Sequence, residues 1–272
     1  PNVTGDTEWE NLSTGAWCHN NNDNQYDTIY GKLYNWYAVN TSKLCPTGWH
    51  VPTDAEWTEL TDYLSANGHS GTEGTALKAT SGWSDLNGQS GNGTDNYGWN
   101  GLPSGFRYKS GSFTGLGLGD CWWSSSQTNN SFSWYRYLTR TSGLVHRVSN
   151  PKKMGFSVRC INDDASSVIQ GEDSLYLVKE DSVLFVYATT DIDSIIFYAP
   201  SSLDTTITDT ISSIQYGEGA TDIDGNTYQS VIIGEQEWMS ENLRTKKYSD
   251  GTPIPNVTGD TEWENLSTGA WC

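Results

Sequence analysis

Residues 48–68 read GWHVPTDAEWTELTDYLSANG and contain the clearest helix signal of the chain. Thr53 is a good N-cap, and Glu56, three residues later, completes a capping box. Apolar side chains then recur at helical spacing, at Trp57, Leu60, Tyr63 and Leu64. Gly68 ends the pattern, since glycine is the usual residue after a helix C-terminus. The stretch therefore predicts one amphipathic helix.

Regular structure is sparse elsewhere in the sequence. A second, short helix is predicted at 31–40, GKLYNWYAVN. Three segments rich in β-branched and aromatic residues predict strands, at 174–180, 182–189 and 193–199. Leu and Ile alternate with polar residues after Pro200, which predicts an exposed strand. The remainder reads as loops and short strands, so the predicted fold class is α+β.

Residues 1–18, PNVTGDTEWENLSTGAWC, recur without a change as residues 255–272, an offset of 255 − 1 = 254. Identity over this length does not arise by chance, and old tandem domains would have diverged. We therefore expect the chain to be one period, plus an overlap, of a longer polymer of near-identical repeats. A duplication artefact would leave the same signature and is the alternative.

Composition limits the partners that the chain can have. Asp and Glu outnumber Lys and Arg by 33 to 15, which gives a net charge of −18. Such a field repels nucleic acid and anionic membranes. No apolar run reaches the roughly 18 residues that a membrane helix needs. The 13 Trp and 15 Tyr residues indicate a packed fold or a ligand platform rather than disorder.

The sequence changes character twice along its length. Residues 1–163 are rich in Trp and Gly, residues 164–221 lose Trp and Cys and become rich in Ser, Thr and β-branched residues, and residues 222–272 return to the first style. We expect a domain in 1–163, a small β module or connector in 164–221, and the start of the next domain in 222–272. The missing N-terminal part of the first domain would come from the preceding repeat.

Each period holds four cysteines, because Cys272 is the periodic copy of Cys18. The others are Cys45, Cys121 and Cys160. An even number without a C-x-x-C motif favours two disulfides over a metal site. Four free buried thiols in a cytosolic protein are the alternative.

Several motifs together resemble a known family. They are DIDGNTYQSVIIGEQEWMSENLR (222–244), YNWYAVN, GWHVPTDAEW, GFRY, WWSSSQ and GFSVRC. In this order they resemble the Fibrobacter succinogenes major paralogous domain, a secreted bacterial module. That family looks like a variant of the C-type-lectin-like fold that formylglycine-generating enzymes share. DIDSIIF (191–197) resembles a segment that often precedes the domain.

The resemblance implies a helix pair on a small antiparallel sheet, with the first and last strands adjacent. It also implies a disulfide from Cys45, before the helix, to Cys160, at the closing strand. Cys18 and Cys121 would then form the second disulfide.

Candidate sites remain less specific. Asp23, Asn24 and Asp27 lie in HNNNDNQYD, whose oxygen ligands suit Ca²⁺, the one cofactor that the sequence suggests; polar turns explain the loop as well. Trp99, Trp122 and Trp123 are candidates for stacking on sugars, with a core role as the alternative. The tripeptides around Trp99 and Pro103 lack the carboxylate of calcium-dependent lectins. The histidines are isolated, and no catalytic residue is predicted, so we do not expect an enzyme.

Asp-[Ser/Thr] steps followed by a small or apolar residue resemble an O-glycosylation signal of Bacteroidetes. They occur at Thr28, Ser174, Ser182, Ser194, Thr205 and Thr210. Ordinary turns are the alternative explanation. Together these features predict a structural repeat unit of an extracellular, glycosylated filament or adhesin stalk, whose partners are copies of itself. The alternative is a secreted module that binds carbohydrate or a cell surface.

Overall fold

The computed structural model describes residues 3–164, 174–179, 182–188 and 214–254. Residues 3–164, here called the body, and residues 214–254, the closing segment, share one set of sheets and cores. Ile214 packs on the core, and the strand that follows it joins a sheet with the body. Residues 214–221, predicted as part of the middle module, thus pack with the large domain.

The helices of the described residues are short and lie between residues 6 and 77. They are α1 (Asp6–Glu10), α2 (Asp27–Tyr30), α3 (Trp36–Val39), α4 (Asp54–Leu64) and α5 (Glu73–Leu77), with 3₁₀ turns at Asn20–Asn22 and Asn24–Tyr26 and a π turn at Ser65–His69. The predicted capping box opens α4: Thr53 Oγ1 accepts from Glu56 N at 3.2 Å, and Glu56 Oε2 accepts from Thr53 N at 2.6 Å. Trp57, Leu60 and Leu64 are buried, which confirms the predicted apolar face.

The helix predicted over 31–40 is mostly wrong. Lys32–Tyr34 forms strand β2, and only the four residues of α3 are helical. Tyr34 exchanges two backbone hydrogen bonds with Phe156, at 2.8 and 3.0 Å, which holds it extended. The Asn35 side chain then caps α3 by accepting from Ala38 N. A long-range backbone contact has overridden the local helical pattern.

The larger sheet of the body has five strands. They are β4 (Ser104–Arg107), β5 (Phe113–Leu116), β6 (Gly119–Gln127), β7 (Phe132–Thr139) and β8 (His146–Pro151), in the order β5-β4-β6-β7-β8. Neighbours are antiparallel except β4 and β6. The long β6–β7 pair carries Trp122 and Trp123 into the core.

The second sheet joins the two parts of the chain. Its strands, in order, are β12 (Gln215–Tyr216), β15 (Ser230–Ile233), β16 (Gln236–Met239), β9 (Ile161–Asn162) and β3 (Trp49–His50). β16 pairs with β9 through Trp238 and Ile161. The closing segment and the last strand of the body are therefore adjacent, as expected of the first and last strands of the domain.

Three two-stranded pairs complete the described structure. They are β1 (Trp17–His19) with β2, β13 (Ala220–Thr221) with β14 (Thr227–Tyr228), and β10 (Ser174–Lys179) with β11 (Ser182–Ala188). The last pair confirms the first two strands predicted for the middle stretch, whereas the predicted strand 193–199 lies outside the described residues. No helix in the described ranges combines the length and the apolar character needed to cross a lipid bilayer. The fold class is α+β, as predicted.

Candidate functional site

The contact between the closing segment and the body, here called the seam, contains a network of buried polar side chains. β16 lies between β15 and β9, and the chain beyond it remains bonded to the body. Leu243 N donates to Val158 O at 2.8 Å, and Lys32 N donates to Leu243 O at 3.0 Å. Apolar side chains of the closing segment are buried at Val231, Ile233, Trp238, Met239, Leu243 and Ile254. The closing segment is thus part of the core.

Asn242 is the centre of a buried hydrogen-bond network at the seam. Its Nδ2 donates to Tyr30 O at 3.0 Å and to Asp120 Oδ2 at 3.2 Å. Its Oδ1 accepts from Trp122 Nε1 and from Arg159 Nε, both at 2.9 Å. All four hydrogen-bonding positions of this amide are used. One side chain of the closing segment therefore joins three elements of the body.

Arg159 is a buried cation that donates four hydrogen bonds to carbonyl and amide oxygens. Besides Asn242, it donates to Trp99 O, to Met239 O at 3.4 Å and to Asn100 O at 2.9 Å. Its guanidinium lies 3.8 Å from the centre of the Trp99 ring, a cation–π distance. Burial lowers the pKa of Arg159 to about 9, and the charge of Asp120 opposes this. The group remains charged at neutral pH.

Asp120 is the buried carboxyl of the same network. Its Oδ1 accepts from Cys121 N at 2.7 Å and from Ser157 Oγ at 2.9 Å. Burial raises the pKa of Asp120 to about 7, and the hydrogen bonds that it accepts work in the opposite direction. Its charge state therefore changes near neutral pH.

A cavity of about 400 Å³ opens along the seam above this network. Its lining is mixed, with Arg159, Asn242 and Glu241 among the polar residues and the exposed side chains of Ile29 and Tyr216 at its edge. Burial raises the pKa of Asp95, another lining residue. The polar groups at its base are already engaged with one another.

The first segment, residues 3–18, packs into a second buried site on the body, here called the seat. Its buried side chains are Val3, Trp9, Leu12, Ala16, Trp17 and Cys18. Arg107 lies 4.4 Å from the centre of the Trp9 ring and donates to the carbonyls of Val3 and Gly5, the latter at 2.9 Å. Trp17 Nε1 donates to Ile254 O at 3.4 Å, so this segment touches the end of the closing segment.

The tryptophans predicted to stack on sugars lie in the core, which contradicts that role. Trp99, Trp122 and Trp123 are each exposed by 1% or less. Trp99 packs edge-on against Trp57 and Trp122, with ring centres 6.0 and 4.9 Å apart. Trp123 packs on Phe156. The alternative, a core role, is confirmed.

The structure does not gather Asp23, Asn24 and Asp27 into a cation site. Asp27 pairs with Lys32 and with His19 Nδ1, the latter at 2.6 Å, while the Asp23 side chain accepts from Gln25 N at 3.0 Å. Burial works to raise the pKa of Asp27, but these two hydrogen bonds hold it below its ordinary value. Among the described residues no three acidic, His or Cys side chains are arranged to hold a metal ion. The polar-turn reading fits this loop better.

Only one of the two expected disulfides is present. Cys45 and Cys160 are joined, as predicted. Cys18 and Cys121 are free thiols, so the predicted bond between them is wrong. Cys18 on β1 packs in the cluster around Trp9, whereas Cys121 on β6 packs in the cluster around Trp123. Burial raises the pKa of both thiols, to about 11 for Cys18.

His50 is better connected than its isolated place in the sequence suggested. Its Nδ1 lies 2.5 Å from Asp163 Oδ1, and its Nε2 lies 2.8 Å from Glu56 Oε1. The hydrogen bond to Glu56, opposed by partial burial and aided by Asp163, raises the pKa of His50. The group links β3, the first turn of α4 and the chain after β9. Glu56 thus serves both the helix cap and this ion pair.

The predicted glycosylation positions are partly within the described chain. Thr28 is exposed on α2 at the cavity edge. Ser174 and Ser182 begin β10 and β11. Ser194, Thr205 and Thr210 lie outside the described residues.

In a comparison with protein-family models, residues 2–162 match the Fibrobacter succinogenes major domain. This range covers more than half of the 272 residues and nearly all of the body. Searches of curated proteins and of solved structures found no match. The chain therefore belongs to the Fibrobacter succinogenes major domain family.

Proposed function

We propose that the chain is a structural repeat unit of an extracellular bacterial filament or adhesin stalk. The observation that carries the proposal combines the fold with the repeated string. In the structure, the closing segment ends at Ile254 beside the seat of residues 3–18. In the sequence, the residues after Ile254 are a copy of residues 1–18. In a repeated sequence, the closing segment would thus lead directly into a first segment, and that first segment into the rest of a body.

This order supports tandem repetition. In a tandem repeat, residue 272 would be followed by a copy of residue 19. Residues 214–272 and the copy of residues 19–164 would then form one complete domain that is continuous in sequence. The body and the closing segment of this chain are then the two parts of one 254-residue period, and residues 165–213 separate them. Repeats whose faces are completed by their neighbours are the rule in stacked assemblies.

We further propose a C-type-lectin-like fold used for its rigidity. The adjacent closing strands, the capped helix α4 and the Cys45–Cys160 disulfide support this assignment. The carbohydrate-binding alternative is less well supported, because its three stacking candidates are buried. Copies of the same chain are therefore the partners that we favour.

Secretion and a non-catalytic role belong to the same proposal. A structural disulfide persists in oxidising compartments, and the high acidic charge suits a solvated surface. The glycosylation signals at Thr28 and in the middle stretch would fit such a location. An oxidase-like mechanism would need a reactive thiolate, whereas burial raises the pKa of Cys121 well above its ordinary value.

Electron microscopy of the protein purified from its native surface tests the proposal. We expect filaments whose axial repeat matches one domain, and intact-mass measurement should show added hexose-type masses on Ser or Thr. Globular monomers from a gene that encodes the 18-residue string only once would contradict it. A glycan array probed with the same material tests the carbohydrate-binding alternative.

A further inference from the structure

The chain contains two copies of the sequence that fills the seat, residues 1–18 and residues 255–272. Six side chains of residues 3–18 are buried in the seat, and the same six residue types recur at Val257, Trp263, Leu266, Ala270, Trp271 and Cys272. The backbone carbonyls that Arg107 holds, those of Val3 and Gly5, have their counterparts at Val257 and Gly259. The second copy therefore carries the same residue types at every position that is buried in the seat.

The geometry of the seam brings the second copy to this seat. Ile254 is fully buried, and its carbonyl accepts from Trp17 Nε1 within the seat. Val3 N donates to Trp17 O at 3.1 Å, so the start and the end of the first segment lie together there. Residue 255 follows Ile254 directly. The last residue before the second copy therefore contacts the seat itself.

We propose that this seat is an exchangeable peptide-binding site, which residues 255–272 of the same chain fill in place of residues 3–18. The contacts are the same for both copies, so the choice between them depends on how each is tethered. The first copy is tethered through residue 19, and the second through Ile254. This proposal rests on the repeat function above and deepens it, because in a tandem array residues 255–272 are the first segment of the next repeat. In that array the same 18 residues would complete either the repeat that precedes them or the repeat that follows them.

Two matched substitutions in the full-length chain test the exchange. Leu12 is exposed by 1% in the cluster with Trp9 and Leu33, and Leu266 is its copy. An aspartate at either position would bury an unpaired carboxylate if that copy occupied the seat. We expect Leu12→Asp and Leu266→Asp, taken singly, to keep a urea midpoint close to that of the parent chain. The double variant should lose its cooperative transition.

Three results would overturn the proposal. If Leu12→Asp alone destabilised the chain as much as the double substitution does, the second copy could not be filling the seat. A double variant as stable as the parent would show that the seat does not depend on these contacts. Loss of the transition in Leu266→Asp alone would show that the first copy cannot fill it.

A peptide provides a readout that does not depend on the folding of one variant. A labelled peptide of residues 255–272 should bind the double variant saturably and restore its transition, and the same peptide carrying Leu266→Asp should not. Equal binding of both peptides would overturn the proposal. Filaments seen by microscopy alongside a failed exchange would leave the repeat function standing and remove only the exchange.

Discussion

Asn242 shows how one amide can make a buried cation and a buried carboxyl tolerable. Arg159 and Asp120 are both removed from water, and each carries a pKa shifted towards its neutral form. Asn242 bonds both, through opposite ends of its side chain. Buried charge is strongly destabilising when a partner is lost and nearly neutral when all partners are present. The seam is therefore sensitive to this one residue.

We predict that Asn242→Ala lowers the free energy of unfolding by about 3–5 kcal/mol, because it removes one hydrogen-bond partner from a buried cation and one from a buried carboxyl at the same time. Asn67→Ala is the control, since Asn67 is exposed and bonds only Tyr63 O in its own helical turn. We expect a change within about 0.5 kcal/mol there. Urea denaturation followed by Trp fluorescence measures both. Equal effects would show that the network does not stabilise the seam.

Asp120 should give the fold a pH dependence of unusual sign for a carboxyl. The folded state holds its proton up to about pH 7, whereas the ordinary pKa is 3.8. The folded state binds the extra proton in this window, so its stability falls as the pH rises from about 4 to 7. Asp120→Asn should flatten the curve of unfolding free energy against pH in this window. Asp250→Asn should run parallel to the parent above pH 5, since the pKa of that exposed carboxyl is lowered to about 2.

At the scale of elements, the Cys45–Cys160 bond and His50 fasten the same corner. The disulfide spans 115 residues and joins the loop before β3 to the residue directly before β9. His50 on β3 bridges to Glu56 at the start of α4 and to Asp163 after β9. Covalent and ionic links thus hold β3 and β9 together at the edge of the second sheet.

We predict that the thiols differ sharply in accessibility. In the native state, iodoacetamide should leave Cys18 and Cys121 unmodified, because both are buried and largely protonated. In urea without reductant both should react, and Cys45 and Cys160 should react only after reduction. Peptide mass mapping reads the result. A Cys18–Cys121 peptide pair would contradict the structure.

We predict that replacing Cys45 and Cys160 by alanine costs about 2–5 kcal/mol, since a long loop is freed in the unfolded chain. Thr53→Ala, which removes the cap of α4, should cost about 1 kcal/mol, and Thr53→Ser should cost little because the hydroxyl remains. Thermal melts of the three variants give the order. A disulfide variant as stable as Thr53→Ser would contradict the structural role of the bond.

Local patterns predicted the elements that local forces determine. The α4 helix followed from its cap and apolar spacing, and the β10–β11 hairpin followed from β-branched runs. The helix over 31–40 failed because Tyr34 pairs with Phe156, 122 residues away in sequence. Asn242 gave no signal, since its partners Tyr30 and Asp120 lie 212 and 122 residues away. The tryptophan roles were equally hidden, because a buried and an exposed ring read alike in sequence.

At the scale of the whole molecule, the fold depends on two stretches that residues 165–213 separate. β16 lies inside the second sheet, and the ring centres of Trp238 and Trp57 are 4.7 Å apart. Removing the closing segment would expose that core and leave β9 without a neighbour on one side. The body is therefore incomplete without residues 214–254.

We predict that residues 1–164 alone fail to unfold cooperatively and that adding residues 214–272 as a separate chain restores the transition. The same addition with Trp238→Ala should restore it poorly, because Trp238 is fully buried at the junction. Calorimetry and intrinsic fluorescence report the recovery. A cooperative transition of residues 1–164 by themselves would contradict the dependence on the closing segment.

The position of the closing segment in the sequence also determines when the fold can be completed during synthesis. A ribosome that adds about 5–20 residues per second needs about 5–20 s to go from residue 164 to residue 254. During that delay Trp57 lacks its neighbour Trp238, and β9 lacks its neighbour β16. A secreted chain would cross the membrane in this state, so translocation before the last strands emerge would avoid a folded obstruction in the export channel.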